Sequence, residues 1–321
     1  MRSRQNSKPF FLGLLCAFLL LFHTVFAQAK SHSDPGLIMQ HLVVLTKTPG
    51  FRNYQDLKML NGAADYIQTE FSKYSDSVSL QEFQVENQAY RNIICSFGTE
   101  NKKRIIIGAH YDVCGKQQGA DDNATGVTGL LELARLLKTQ KLQVRIDLVA
   151  YTLEEPPYFR TQNMGSYVHA KMLSDKRLSV LGMVSLEMIG YFTDEKNSQE
   201  YPSALLKPFY GTTGNYITLV KKFNAGEFAC QFNSAFHDTE VVKTKTFTGP
   251  ATLPGIDFSD HLNYWAFGFS ALMITDTAFY RNKNYHQPTD TIETLDLVRM
   301  GKVIDGVFLT LLKLNGSYNA D

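Results

Sequence analysis

Cysteine is nearly absent from this chain, with four in 321 residues. One of them, Cys16, lies in an N-terminal apolar run, which leaves Cys95, Cys114 and Cys230. Three cysteines permit at most one intramolecular disulfide and exclude a disulfide-stapled scaffold. Their spacing matches no cysteine-based zinc motif, so they read as buried or isolated thiols. An excess of one charge is also lacking: 32 Lys and Arg face 31 Asp and Glu, for a net charge of +1. That removes the electrostatic case for nucleic acid or an anionic membrane as the main partner. Tryptophan occurs once, whereas Phe (22) and Tyr (16) are plentiful, which suits a packed core and an aromatic-lined cleft. No internal repeat, low-complexity tract or linker divides the chain.

Long hydrophobic runs are missing too, with one exception at the N-terminus. Arg2, Arg4 and Lys8 precede the nearly continuous apolar stretch Phe10–Phe22, and His23–Ala29 then offers small residues at cleavage-type spacing. This pattern predicts a secretory signal peptide over residues 1–29, cut after Ala27 or Ala29. A run of about 13 apolar residues is short for a membrane span. Leu14-Leu15 before Cys16 argues against a lipid-modified cysteine. The expectation is an exported protein, periplasmic or secreted, with no stable membrane anchor after cleavage.

What is there, over residues 30–321, is the alternation of an α/β fold. The chain is 44% hydrophobic and 20% charged, enough for one large domain with a sizeable core. Asp34-Pro35 opens a helix that Thr48-Pro49-Gly50 breaks, and Asp56–Tyr74 repeats apolar residues on one helical face. Ser77–Val85 and Tyr90–Phe97 read as a hairpin around Glu86-Asn87-Gln88. Strands are expected at Arg104–Gly108, Val144–Thr152, Leu181–Met188 and Ala271–Thr275. Helices are expected at Ala124–Leu137, Met164–Leu173, Tyr216–Phe223, Ser259–Phe267 and Leu295–Leu314. The implied fold is a single domain with a mostly parallel mixed sheet flanked by helices. Ser198–Pro208 and Val242–Pro254 are irregular and read as walls of a binding site.

The chemistry gathers where strands end. The buried run Arg104-Ile105-Ile106-Ile107 leads into Gly108–Asp122, which carries His110, Asp112 and the pair Asp121-Asp122. Glu154-Glu155 follows the next strand, Glu187 the one after, and His286 comes in a later loop. A hydrolytic metal site needs neutral imidazoles, ionised carboxylates and a base beside an open position. Strand–loop junctions that each supply His or a carboxylate meet that need. Adjacent residues in extended chain point to opposite sides, so one of Glu154 and Glu155 suits a ligand and the other the base.

The segments GAHYD, GADDNATG, LEEP, LEMIGY and NYHQPTDT together resemble the co-catalytic zinc aminopeptidases of the bacterial leucyl aminopeptidase type. That family is related to glutamate carboxypeptidase-like enzymes and to glutaminyl cyclases. The similarity runs from about Arg91 to Asp296 and implies two zinc ions. On it, His110, Asp122 and Glu187 would hold one ion, and Asp122, Glu155 and His286 the other, with Asp122 bridging. Asp112 would orient His110, and Glu154 would be the general base. Glu187 stands where many members carry Asp, a departure of one methylene. The resemblance implies peptide substrates and an exopeptidase, most simply an aminopeptidase working through a hydroxide between two zinc ions. Carboxypeptidase and dipeptidase specificities stay open, as does the oligomeric state. A one-zinc glutaminyl cyclase is the rival, but DDNATG is the peptidase-like form of the bridging segment. A binding module that has lost its base is disfavoured by Glu154.

Ser259-Asp260-His261 invites a catalytic triad, which three consecutive residues cannot form around one nucleophile. Support of the site, with Asp260 near a helix start and His261 behind the ligands, is the better expectation. Thr289-Asp290-Thr291 is expected to order the loop of His286. Tyr191, Tyr264, Phe258 and Phe279 are candidate pocket walls, while His41, His169 and His237 read as ordinary core or surface histidines. Asn123-Ala124-Thr125 matches a glycosylation pattern, but a glycan there would block the cleft.

Overall fold

Among the described residues, eight strands make one mixed sheet in the order β1-β2-β4-β3-β5-β8-β6-β7. They are β1 (Ser77–Val85), β2 (Gln88–Phe97), β3 (Arg104–His110), β4 (Arg145–Tyr151), β5 (Val180–Glu187), β6 (Ile217–Lys222), β7 (Thr244–Gly249) and β8 (Ala271–Thr275). The helices are α1 (Pro35–Thr46), α2 (Leu57–Ser72), α3 (Gly126–Leu137), α4 (Gly165–Asp175), α5 (Lys207–Tyr210), α6 (Glu227–His237), α7 (His261–Ala266) and α8 (Leu297–Asn315). The computed structural model describes residues 31–318, so the expected signal peptide over residues 1–29 lies outside the described residues. Among the described residues, no helix is long and apolar enough to cross a membrane.

The four central strands, β4-β3-β5-β8, run parallel, and β2 and β6 flank them antiparallel. Their composition explains this placement. In β3, Ile105, Ile107 and Ala109 face one core layer and Ile106 the other, so the strand is apolar on both faces, as a central parallel strand must be. The first layer packs α1, α2, α3, α6 and α8 against the sheet; the second packs α4 and α7. Asp34 caps α1 by accepting from the amides of Gly36 (2.8 Å) and Leu37 (3.3 Å), so the Asp-Pro signal works as expected.

Two expectations fail on the far side of the sheet. Tyr216–Phe223 is not helical: it contains β6, where Leu219 enters one core layer and Val220 the other. Its Ile217-Thr218-Leu219-Val220 run is rich in β-branched residues that fit a pleated surface. The helix of this region is instead α6, which begins at Glu227. The supposedly irregular stretch Val242–Pro254 contains β7, a half-buried edge strand with polar residues that pairs in parallel with β6. Its composition satisfies an edge strand without displaying an apolar alternation.

Candidate metal centre and active site

The carboxyl ends of β3, β4, β5 and β8 converge on one crevice, the place where open α/β sheets bind ligands. His110 is the last residue of β3, Glu187 the last of β5, and Glu154-Glu155 follow β4 by two residues. The backbone turns sharply there. Leu153, Met188 and His286 all adopt positive φ (59°, 52° and 57°), an unfavourable region for residues with a Cβ that recurs where a site over-determines the chain. The effect is to point Glu154, Glu155, Glu187 and His286 into the crevice.

Asp122 lies between two groups. Its Oδ1 is 3.3 Å from His110 Nε2, which is also 3.4 Å from Glu187 Oε2. Its Oδ2 is 3.2 Å from His286 Nε2, itself 3.2 Å from Glu155 Oε2. Donors at 2.0–2.2 Å from a tetrahedral zinc ion would be separated by roughly 3.3–3.6 Å, so these spacings are those of two ligand sets sharing one carboxylate. Glu154 Oε2 is 3.8 Å from His110 Nε2 and flanks the first set. All seven residues singled out in the sequence (His110, Asp112, Asp122, Glu154, Glu155, Glu187 and His286) meet here.

The electrostatics would favour a bound cation. Asp122, Glu154, Glu155, Glu187 and Asp260 are all buried. Burial raises the Glu154 carboxyl well above its usual range, and the charges of Glu155 and Glu187 add to that. Glu155 is pushed up to about 8 by burial and by Asp122. Asp122 alone is lowered, because the two imidazoles overcome its desolvation. A cluster of buried carboxylates is costly unless cations offset it. His110 Nε2, Asp122 Oδ2, Glu155 Oε1 and His286 Nε2 are buried without hydrogen-bond partners among the described residues. Imidazole and carboxylate donors with free lone pairs fit zinc-class ions.

Around the cluster, surrounding groups lock the donors in place. Asp112, expected to orient His110, sits beside it: its main-chain carbonyl is 3.1 Å from His110 Nδ1 and its Oδ1 3.6 Å. The bond to the carbonyl directs the Nε2 lone pair toward the crevice. The Asp112 carboxylate also accepts from the amides of Glu154 (3.2 Å) and Glu155 (3.1 Å), so it ties the end of β4 to the end of β3. Asp290 does the same for the bridging segment, accepting from the amides of Asp121 (2.9 Å) and Asp122 (3.1 Å). Asp121 faces away, accepting from Gly190 N and Asn282 Nδ2. Ser259 Oγ donates to Glu187 Oε2 (2.7 Å). Asn123 is fully buried and donates to Leu186 O and Glu187 Oε2, which excludes a glycan on it.

Asp260 lies at the start of α7, as expected. It makes no side-chain cap on α7, and both its carboxylate oxygens are buried without a hydrogen-bond partner among the described residues. His110, Glu187 and Asp112 are among the charges that act on it. His261 does not reach the cluster: its Nε2 pairs with the Ile256 carbonyl (2.7 Å) and its ring meets Trp265 edge-on. Tyr264 is no pocket wall either, being buried with Tyr151 and His169 in a hydrogen-bonded network.

Beside Glu187 and Tyr285 opens an aromatic cleft lined by Phe258, Phe279, Phe247, Ile256 and Met273. Both loops expected to form walls contribute, through Gln199–Pro202 and through Phe247 and Pro254. Among the described residues lining it there is no Lys, Arg or His. Tyr285 also stacks on the ligand candidate His286, with ring centroids 3.8 Å apart.

Residues 92–311 match peptidase family M28. A relative from Escherichia coli K12, described as an uncharacterized protein YfbL, is 41% identical over 88% of this chain and 88% of its own length. A probable leucine aminopeptidase of Trichophyton verrucosum is 27% identical over 84% of this chain and 74% of its own. Among solved structures, LapB from Legionella pneumophila superposes with a TM-score of 0.71 at 22% identity, over 90% of this chain and 75% of that one. Porphyromonas gingivalis glutaminyl cyclase superposes with a TM-score of 0.65 at 18% identity, over 88% and 99%. These two structures bear on the fold alone, and the fold accommodates both peptidases and cyclases.

Proposed function

The chain belongs to peptidase family M28, and on that premise we propose that it is an exported aminopeptidase that uses two zinc ions. Its substrates would be peptides whose first side chain is large and apolar. The observation that carries this reading is the two-sided placement of Asp122, with His110 on one oxygen and His286 on the other. A one-zinc cyclase has no use for that arrangement.

His110, Asp122 and Glu187 would hold one ion, and Asp122, Glu155 and His286 the other. When bound, the pair would supply Lewis-acid polarisation of the scissile carbonyl and acidify a water for attack near neutral pH. The protein's own part follows from its geometry. Glu154, buried beside His110, would take the water's proton on a carboxylate oxygen and return it to the leaving amine. Asp112 and Asp290 keep the ligand-bearing amides rigid, which preserves the spacing that the reaction needs. The aromatic cleft would take the first side chain. Its acidic neighbourhood and lack of basic lining favour a free α-amine over a terminal carboxylate, and hence an aminopeptidase over a carboxypeptidase.

The test pairs a zinc count per chain with turnover of leucyl and glutaminyl peptides. Two zincs with amine release from leucyl p-nitroanilide is the expected outcome; one zinc with cyclisation of N-terminal glutamine would overturn the reading. Burying a Leu or Phe side chain is worth about 1.5–3 kcal/mol, so leucyl and phenylalanyl substrates should exceed alanyl ones in kcat/KM by roughly 10- to 100-fold. Export predicts that the mature N-terminus isolated from the native host begins after Ala27 or Ala29. An uncleaved Met1 would refute that part alone.

A further inference from the structure

We propose that Cys114 is a ligand of the second metal position, coordinating through its thiolate together with Glu155 and His286. This rests on the metal-centre reading above but adds a donor that the family resemblance does not supply. Among the described residues, three sets of donor atoms lie within 4.8 Å of one another: His110–Asp122–Glu187, His110–Glu154–Glu155 and Cys114–Glu155–His286. On the His286 side, then, a sulfur joins the Asp122, Glu155 and His286 donors.

An independent observation points to a ligand there. Glu155 is 4% exposed, and while its Oε2 lies against His286 Nε2, its Oε1 is buried with no hydrogen-bond partner among the described residues. His286 Nε2 is likewise buried and without a hydrogen-bond partner among the described residues. An ion at this position would draw on a lone pair from each of Cys114, Glu155 and His286.

Cys114 is held in place by groups outside the crevice. Val113 N donates to Arg52 O (3.0 Å), and Asn53 Nδ2 donates to the carbonyl of Gly115. The Arg52 guanidinium, itself buried, donates to the carbonyls of Gln118 and Gly119. The segment that presents the thiol is thus pinned on both sides by α1–α2 loop residues.

The chemical consequence is selectivity. A thiolate is a soft donor that favours zinc over magnesium or manganese, which prefer oxygen. Binding releases the thiol proton, and the ion keeps the sulfur deprotonated. The protein carries its own controls: Cys95 is buried in the core, and Cys230 is exposed on α6, 3.8 Å from Lys221 Nζ.

Cobalt(II) tests this directly. The chelator-stripped full chain, titrated with cobalt, should develop visible d–d bands together with a near-ultraviolet thiolate-to-cobalt charge-transfer band. Cys114→Ser should lose only the charge-transfer band, and Cys230→Ser should keep both. Cobalt bound without that band in the wild type, or a band that survives Cys114→Ser, overturns the assignment while leaving the metal centre standing. A chain that takes up no cobalt overturns the metal-centre reading and this one with it. Alkylation gives a second readout independent of spectroscopy. At zinc ten times its dissociation constant, iodoacetamide labelling of Cys114 should slow roughly tenfold, with Cys230 unchanged. Equal labelling of Cys114 with zinc and with chelator, on protein verified to bind zinc, also refutes the thiolate ligand.

Discussion

Replacing Glu154 by glutamine exchanges one carboxylate oxygen for an amide nitrogen at nearly constant volume, at a residue that is 6% exposed. Its backbone amide, bonded to Asp112 Oδ1 at 3.2 Å, is untouched, so the end of β4 keeps its position. What disappears is the ability to accept and return a proton, together with one negative charge among Glu155 and Glu187. Loss of general-base catalysis costs roughly 10²- to 10⁴-fold, which is about 2.7–5.4 kcal/mol in the barrier. Removing a buried like charge works in the opposite direction on stability, so the metal-free variant should melt no lower than the wild type. The assay is initial-rate kinetics on leucyl p-nitroanilide, with zinc per chain measured on the same preparation. The expected result is a kcat lower by at least two orders of magnitude with KM little changed and two zincs retained. A near wild-type kcat would refute the base assignment and turn attention to Asp260, a buried acid whose two carboxylate oxygens have no hydrogen-bond partner among the described residues. A loss of zinc would instead make Glu154 a ligand.

Three further outcomes follow from the same geometry. Asp122→Ala removes the carboxylate that lies 3.3 Å from His110 Nε2 and 3.2 Å from His286 Nε2, so zinc content should fall from two toward none; a variant that keeps both ions would end the bridging role. Gly108→Ala places a Cβ 2.3 Å from Tyr151 Cε2 and 3.0 Å from Met183 Cε in a central strand, and should lower stability by about 1–3 kcal/mol. An unchanged urea midpoint would show that the rings yield freely. His169 is held neutral by burial, its pKa lowered to about 4, against about 6.5 in the unfolded chain. The unfolded state therefore binds more protons between those values, and the stability present above pH 6.5 is lost as pH falls toward 4, by up to roughly 3 kcal/mol. In His169→Gln, which sacrifices the 2.7 Å contact to Tyr264, stability should start lower at pH 7 and decline less on acidification; parallel curves for the two proteins would exclude His169 as the source.

The parts of this molecule that were legible in sequence are those where a residue's chemistry and its local pattern say the same thing. Ile105-Ile106-Ile107 is apolar on both faces because β3 lies at the centre of the sheet, and His110 at the end of that strand has little reason to be buried unless it binds something. Glu154, Glu155 and Glu187 stand out for the same reason, as charged residues at the ends of buried strands. The far half of the sheet was harder because its signals are weaker. β7 is an edge strand of Thr and Lys, and the short β6 run satisfies a helical pattern as readily as an extended one until its pairing with β8 is known. The supporting groups were partly invisible, since nothing near Asp290 in sequence reveals that its carboxylate receives the amides of Asp121 and Asp122. Cys114 shows the limit most sharply. Judged by spacing it is an isolated thiol, because a zinc-motif search compares cysteines with cysteines. Its partners are a glutamate from the end of β4 and a histidine from the loop before α8, and only the closure of the sheet brings those donors together. A ligand set assembled across strand ends therefore has to be sought among residue types, with the fold supplying the distances.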